Sequence, residues 1–290
     1  VLFRSRLKKR AISSPRRPGS LPRPRKRFGQ HFLVDQQALE FIAELAATNR
    51  GEAAVVEIGP GRGALTRPLL GHLDRLVAIE IDRDLVAHLR EDLADPRLHL
   101  VEADVLDVDF GQLATDEGVE RLVIAGNLPY NISAPVMFKL REHADLVDRA
   151  VLTLQKEVAD RLISSPGSRQ YSLVTVLLAQ CAQVEIHRYL PRGAFHPVPK
   201  VESAILEIRF EPDRVPVADL ALFERIVRSA FSQRRKMLRN SLQSLTPLLQ
   251  EAGVSLEEVC SQAQVDLTLR AENLSVENYA TLTRIIDAAR

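Results

Sequence analysis

Short apolar runs recur through the first half of the chain. They are Val55 to Ile58, broken only by Glu57, then Leu76 to Ile79, Leu98 to Val101 and Leu122 to Ile124. Runs this short, without polar alternation, predict strands covered on both faces, as in a parallel sheet. Helical patterns stand between them: Gln36 to Ala47 behind Asp35, a fitting N-cap, then a helix from Ala64, then Leu85 to Leu93. Strand and helix in alternation predict an α/β fold. Further on, Gln155 to Ile163 reads as helix and the Ser-Pro-Gly-Ser stretch at 165–168 breaks it. Leu173 to Leu178 reads as a strand, and Ile186 to Leu190 and Ser203 to Phe210 as strands with partial alternation. Residues 211–216 form a proline-containing linker. Beyond it helical patterns dominate: Leu220 to Phe231, Arg235 to Leu242, Leu256 to Cys260 and Val276 to Ala289.

Charge changes this picture at one end. The net charge is +1, but residues 1–27 hold 11 Lys/Arg and no acidic residue. The rest therefore carries 39 − 11 = 28 basic against 38 acidic residues, a net of −10. The body is not a globally basic nucleic-acid binder, so contact with RNA must use local patches. The tail reads as a disordered basic segment, either a native arm or an artefactual start, without the apolar stretch of a signal peptide. The expected organisation is a tail over 1–26, an α/β domain over 27–212 and a helical domain over 213–290. An apolar content of 46% supplies an ordinary core. Two cysteines, Cys181 and Cys260, have neither metal spacing nor a disulfide framework, so a reducing cytoplasm and no metal are expected. No run is long enough to span a bilayer.

The candidate chemistry sits where the strands end. The first run leads into Gly59-Pro-Gly-Arg-Gly63 and then a helix. Strand, glycine turn and helix form a nucleotide-binding arrangement. The spacing departs from the dinucleotide pattern and favours a nucleoside over a pyrophosphate. The second run ends in Glu80, about 20 residues on, where a carboxylate can accept from ribose hydroxyls. The third is followed by Asp104 and Val105, and a carboxylate there can accept from the exocyclic amine of an adenine. Asp107 and Asp109 read as solvated. The fourth ends in Gly126-Asn-Leu-Pro-Tyr130. There the Asn127 side-chain carbonyl and the Pro129 carbonyl can accept from an amine, and Tyr130 offers a ring for stacking. The same residues also suit a strand end, a turn and a core tyrosine. Four such strand ends in order point to an adenosine-containing cofactor beside an amine substrate.

These motifs resemble the S-adenosylmethionine-dependent methyltransferases of exocyclic amines. Phe28-Gly-Gln-His-Phe-Leu33, Gly126-Asn-Leu-Pro-Tyr-Asn-Ile-Ser133, Gln155-Lys-Glu-Val158, Phe195-His-Pro-Val-Pro-Lys-Val-Glu-Ser203 and Ala230-Phe-Ser-Gln-Arg-Arg-Lys-Met-Leu-Arg-Asn240 narrow this. Together they resemble the small-subunit ribosomal RNA adenine dimethyltransferase family over residues 26–290. The resemblance implies a Rossmann-like methyltransferase sheet with a small C-terminal helical domain. It implies S-adenosyl-L-methionine as cofactor and N6 of two adjacent adenosines in a hairpin near the 3′ end of small-subunit rRNA as target. An immature small ribosomal subunit is the expected partner and a monomer the expected state. Gln30, His31 and Leu33 would close the methionine end, with His31 standing where many relatives carry Asn. Asn127 would also touch the cofactor, and Phe195 would form a second wall opposite Tyr130. Arg225, Arg228, Arg234, Arg235, Lys236 and Arg239 form the candidate RNA patch. Two alternatives stay open: a large-subunit rRNA methyltransferase of the erythromycin-resistance type, and a non-catalytic RNA-binding assembly factor.

Overall fold

The structure is a computed structural model, and it describes residues 31–212 and 214–290. The basic tail and Gln30 lie outside the described residues. The chain enters through a two-residue strand β1 (Phe32–Leu33) and helix α1 (Gln36–Ala47). The Asp35 side chain caps α1 as expected, accepting from the amides of Gln37 and Ala38. Four strand–helix units follow: β2 (Ala54–Ile58) with α2 (Thr66–His72), β3 (Leu76–Glu80) with α3 (Arg83–Asp92), β4 (Leu98–Glu102) with α4 (Phe110–Glu117), and β5 (Leu122–Asn127) with α5 (Ser133–Glu142). Then come β6 (Val147–Gln155), α6 (Lys156–Leu162), α7 (Leu173–Cys181), β7 (Ala182–Leu190), β8 (Phe195–His196) and β9 (Ser203–Phe210).

Seven strands form one sheet in the order β4-β3-β2-β5-β6-β9-β7. β2 to β6 are mutually parallel, and at one side β9 runs antiparallel to both β6 and the edge strand β7, so β9 alone is reversed in this sheet. The strand order reverses between β2 and β5, and the crevice above such a reversal is where open α/β sheets bind ligands. Alternate side chains feed two cores. Val56, Ile58, Val77 and Ile79 pack with Phe110 and Met137 on one face, while Val55, Leu76 and Val123 pack with Leu39, Ile42 and Leu69 on the other. Gly126 allows β5 to pass close to β2, since a Cβ there would lie 2.7 Å from the Ile58 carbonyl oxygen.

The C-terminal unit comprises α8 (Leu220–Ser232), α9 (Leu238–Ser241), α10 (Thr246–Glu251), α11 (Leu256–Gln262) and α12 (Val276–Ala288). Its core includes Phe223, Ile226, Tyr279 and Leu282, and also Val176 and Leu177 of α7. The expected α/β sheet with a helical C-terminal region is therefore the fold observed.

Two expected elements change. The run at 173–178 is a helix, not a strand. Its outer residues face both the sheet core (Leu178, Cys181) and the C-terminal core (Val176, Leu177). A helix buried on both sides is apolar all round and loses the periodicity that would mark it. The helix expected from Arg235 begins only at Leu238, because Gln233 to Lys236 form a turn closed by Lys236 N–H to the Gln233 carbonyl at 2.8 Å. β6, α4, α5 and α10 were not expected from the sequence pattern.

Candidate active site

A cleft of about 340 Å³ opens above the β2–β5 crossing. The glycine turn forms its floor. Gly61 has φ +60°, and a Cβ there would meet the Phe32 ring at 2.9 Å, so only glycine fits without displacing that ring. The β3 end supplies Glu80, which is 4% exposed. One of its oxygens accepts from Gly61 N–H at 3.1 Å and the other from Asp82 N–H at 2.9 Å. Burial pushes the Glu80 pKa up, those backbone donors pull it down, and the neighbouring Asp82 charge raises it again. The acid thus clamps the glycine turn and keeps further lone pairs for a ligand. Asp82 itself caps α3. Beyond β4, one Asp104 oxygen accepts from Leu106 N–H at 3.0 Å, and Val105 is buried beside it.

The β5 end holds the acceptors. Asn127 Nδ2 donates to the His31 carbonyl at 2.8 Å. That bond fixes which way the amide points and leaves Oδ1 as an oriented acceptor. The Pro129 carbonyl already accepts from Ile132 N–H at 3.1 Å and, at a longer 3.4 Å, from the Ser133 hydroxyl, which is shared with the Tyr130 carbonyl, so it is committed to a turn and only the long hydroxyl contact could give way to a ligand. Tyr130 is half-buried. Its hydroxyl lies 3.1 Å from Ser203 Oγ, and desolvation raises its pKa.

Of the residues expected from sequence, His31, Gly59, Gly61, Glu80, Asp104, Val105, Asn127 and Pro129 line this one cleft. Leu33 instead sends its side chain into the core. Phe195 requires a correction. At 2% exposed it is a core residue, paired in β8 opposite Leu33 of β1, and it forms no wall beside Tyr130. An aromatic flanked by prolines looks the same in sequence whether it faces a pocket or the core. Phe32, Ile58, Ile79, Ile81, Ala103, Asn131 and Ile132 complete the lining and were missed. Ile81, directly after the strand-end acid and 47% exposed, was the findable one. Also missed was Glu57, in the middle of β2 and 1% exposed. It lines a smaller adjoining cavity with Asn127, Gly59 and Phe32, and its Oε2 has no hydrogen-bond partner among the described residues. Burial raises its pKa to about 8, with the Thr66 hydroxyl lowering it and Glu80 raising it.

The expected basic patch divides. Arg228 pairs with Glu224, which also holds Arg141 at 2.6 Å. Arg234 pairs with Glu272 at 2.9 Å and donates to the carbonyls of Arg169 and Tyr171. It is a tie between segments rather than a spare charge. Arg225, Arg235, Lys236 and Arg239 are exposed. No helix among the described residues is long and apolar enough to cross a membrane.

The donor set suits the expected cofactor. Two acids, an oriented amide and a glycine turn that a Cβ would obstruct surround a cleft with apolar walls. A curated protein of Geobacter metallireducens, "Ribosomal RNA small subunit methyltransferase A", is 42% identical over 268 residues, covering 92% of this chain and 96% of its own length. One of the same name from Leptothrix cholodnii is 46% identical over 264 residues, covering 91% and 92%. Among solved structures, a dimethyladenosine transferase from Plasmodium falciparum shares the fold, with TM-score 0.73 at 24% identity, covering 89% of this chain and 98% of that one. The 23S rRNA methyltransferase ErmE superposes with TM-score 0.64 at 28% identity, covering 88% and 99%. The family model described as "Ribosomal RNA adenine dimethylase" matches residues 22–287, nearly the whole chain, and this protein belongs to that family.

Proposed function

We propose that the protein dimethylates N6 of two adjacent adenosines in a hairpin near the 3′ end of small-subunit rRNA, using S-adenosyl-L-methionine and acting on an immature small subunit as a monomer. The observation that carries the chemistry is the Asn127 amide, turned by its bond to the His31 carbonyl so that Oδ1 is the free acceptor. The relatives at 42% and 46% identity named for the small subunit favour that target over the large-subunit alternative. The intact acceptor set disfavours a purely structural assembly factor.

The cofactor supplies an electrophilic methyl group on a sulfonium. Glu80 would hold its ribose, Asp104 its adenine amine, and the backbone around His31 its methionine end. An adenine in a duplex cannot reach this cleft, so the target must be unpaired or extruded. Its N6 lone pair is delocalised into the ring and is a poor nucleophile. Asn127 Oδ1 and the Pro129 carbonyl, the latter once the long Ser133 hydroxyl contact turns to the Tyr130 carbonyl alone, can accept the two N6 protons. This draws the nitrogen toward tetrahedral geometry and turns its lone pair outward. Fixed acceptors aimed at the charge that develops on N6, together with in-line alignment, supply the rate enhancement. No base is needed before attack, because N6–H acidifies once nitrogen takes the methyl. The second transfer meets a nitrogen with one proton, so one acceptor suffices.

The direct test supplies methyl-labelled cofactor with immature small subunits, large subunits and naked DNA in competition. Label is expected as N6,N6-dimethyladenosine in small-subunit RNA. Label in large-subunit RNA, or none despite tight subunit binding, would reject the reading.

Two variants test binding separately. Glu80→Ala is expected to weaken the cofactor Kd by roughly 10- to 100-fold, the value of a charged hydrogen bond. Calorimetric titration with unchanged affinity would remove Glu80 from ribose binding. Reversing Arg235 and Lys236 to Glu should weaken RNA binding and reduce the slope of log K against log salt by about 2, roughly one per phosphate contact. A wild-type slope would make these two residues a solvated surface.

A further inference from the structure

The β9–β7 side of the sheet carries a cluster of side chains that methyl transfer leaves unused. β7 and β9 pair antiparallel, with Glu185 directly opposite Glu207. Like charges at opposed positions destabilise a strand pair. His187, two residues along β7, shares the face of Glu185. The ladder steps from the pair Ile186–Leu206 to the pair Arg188–Ile205, so His187 is the extra residue of a β-bulge, a device that re-aims a side chain. Its Nε2 lies 3.2 Å from Glu207 Oε2 and its Nδ1 3.8 Å from Glu185 Oε1. One ligand atom from each of the three residues lies within 4.8 Å of the other two. The Phe41 ring of α1 meets the imidazole edge-on, at 5.9 Å between centroids, and limits its rotation. The Glu207 side chain is 2% exposed.

Two arginines share Glu207. Arg209 Nη2 donates to Oε2 at 2.7 Å, from an exposed side chain that can swing into solvent. Arg149 is fixed instead. Its Nη atoms donate to the carbonyls of Ala46, Thr48 and Asn49 at the end of α1 and pair with Asp148, and its Nε faces Glu207 Oε1 at 3.7 Å, too far for a hydrogen bond.

We propose that Glu185, His187 and Glu207 form a site for one divalent cation of the zinc class, which staples the edge strand β7 to β9. An imidazole beside carboxylates suits zinc, whereas magnesium and calcium take oxygen ligands. Bonds of about 2.0–2.2 Å place tetrahedral ligands roughly 3.3 Å apart. His187 Nε2 and Glu207 Oε2 already stand 3.2 Å apart, and the exposed Glu185 closes on them by rotating its side chain. Water fills the fourth position. The cation takes Glu207 Oε2 from Arg209. Oε1 still faces Arg149, which holds the ligating carboxylate from behind. A repelling cross-strand pair thereby becomes a cross-link. The cysteine pattern points to no metal, but ligands gathered across two strands leave no motif spacing to read. In the order β5-β6-β9-β7 the site is three strands from β5, about 14 Å at roughly 4.8 Å per strand, so it acts on the stability of the sheet edge and not on methyl transfer.

The test titrates zinc chloride into the metal-stripped full chain by calorimetry, with thermal melting in parallel. The Tm is expected to rise by about 5 °C when zinc stands 100-fold above its Kd. Glu185→Gln and His187→Gln should each weaken zinc binding at least about tenfold, the smallest cost of losing even an outer-shell partner. Glu185 is exposed, so Glu185→Gln should leave the metal-free Tm unchanged, and its effect on zinc cannot come from misfolding. Arg209→Gln removes the competing guanidinium and should tighten zinc binding several-fold. Glu40, Glu44 and His72 on α1 and α2 are a second cluster of similar reach, fully on the surface, and His72→Gln serves as the control. Zinc binding untouched by Glu185→Gln and His187→Gln, lost instead in His72→Gln, or weakened by Arg209→Gln would overturn the proposal. So would a titration of the wild-type chain that shows no binding.

Discussion

Asn127→Ala is expected to lower the single-turnover rate of methyl transfer by about 10²–10³-fold, as removal of one preorganised polar group at a reacting atom does. The cofactor Kd should change far less than the rate. The asymmetry follows from geometry. The amide is committed on its nitrogen side to the His31 carbonyl, so its oxygen points at one place. Alanine removes the acceptor that meets N6 as it becomes tetrahedral, an interaction that strengthens in the transition state. Asn127→Asp should be no rescue. It has the same shape but no N–H for the His31 carbonyl, and it sets an oxygen against that carbonyl. Rapid-quench transfer of labelled methyl, with cofactor binding measured in parallel, checks both. A transfer rate equal to wild type would remove Asn127 from the mechanism.

The second large effect concerns stability. Glu57 is buried, and its pKa is raised to about 8, chiefly by desolvation. In the unfolded chain its carboxyl ionises near the ordinary value of 4.5. Between these values the folded state holds a proton that the unfolded state has lost, so stability falls as pH rises. Each pH unit across that window removes up to about 1.4 kcal/mol, and the whole window up to about 5 kcal/mol. Glu57→Gln keeps the shape of the neutral acid and cannot ionise. It should match wild type near pH 4.5 and exceed it by several kcal/mol, on the order of 3, at pH 8 and above. Denaturant titrations of both proteins across this range test it. Parallel stability–pH curves would show that Glu57 does not titrate as its burial requires. At pH 7 the variant should keep methyl transfer, because the wild-type carboxyl is already protonated there.

Much of the site was legible because its residues sit at fixed steps from strand ends. Gly59, Glu80, Asp104 and Asn127 each follow an apolar run, and parallel strands bring their C-terminal ends to one edge. Alternation of strand and helix was enough to infer that edge. The glycine at 126 was visible as part of a motif, but its close approach to Ile58 was not.

What the chain determined by itself was local: which runs are apolar, where glycines permit a turn, which acid stands at which strand end. Hydrogen bonding within the backbone and burial of continuous apolar stretches make such features readable without knowing what lies opposite. The tertiary structure decided everything that depends on a partner distant in sequence. α7 is a helix because two cores need its opposite faces. Phe195 is buried because β8 pairs with β1, 162 positions apart at Leu33 and Phe195. Arg234 is a tie because Glu272 and two carbonyls converge on it. His31 meets Tyr130, and its carbonyl aims Asn127, because the fold folds the entry strand across the end of β5. Contacts of that kind depend on packing in three dimensions, and a side chain's type alone does not say which neighbour it will find.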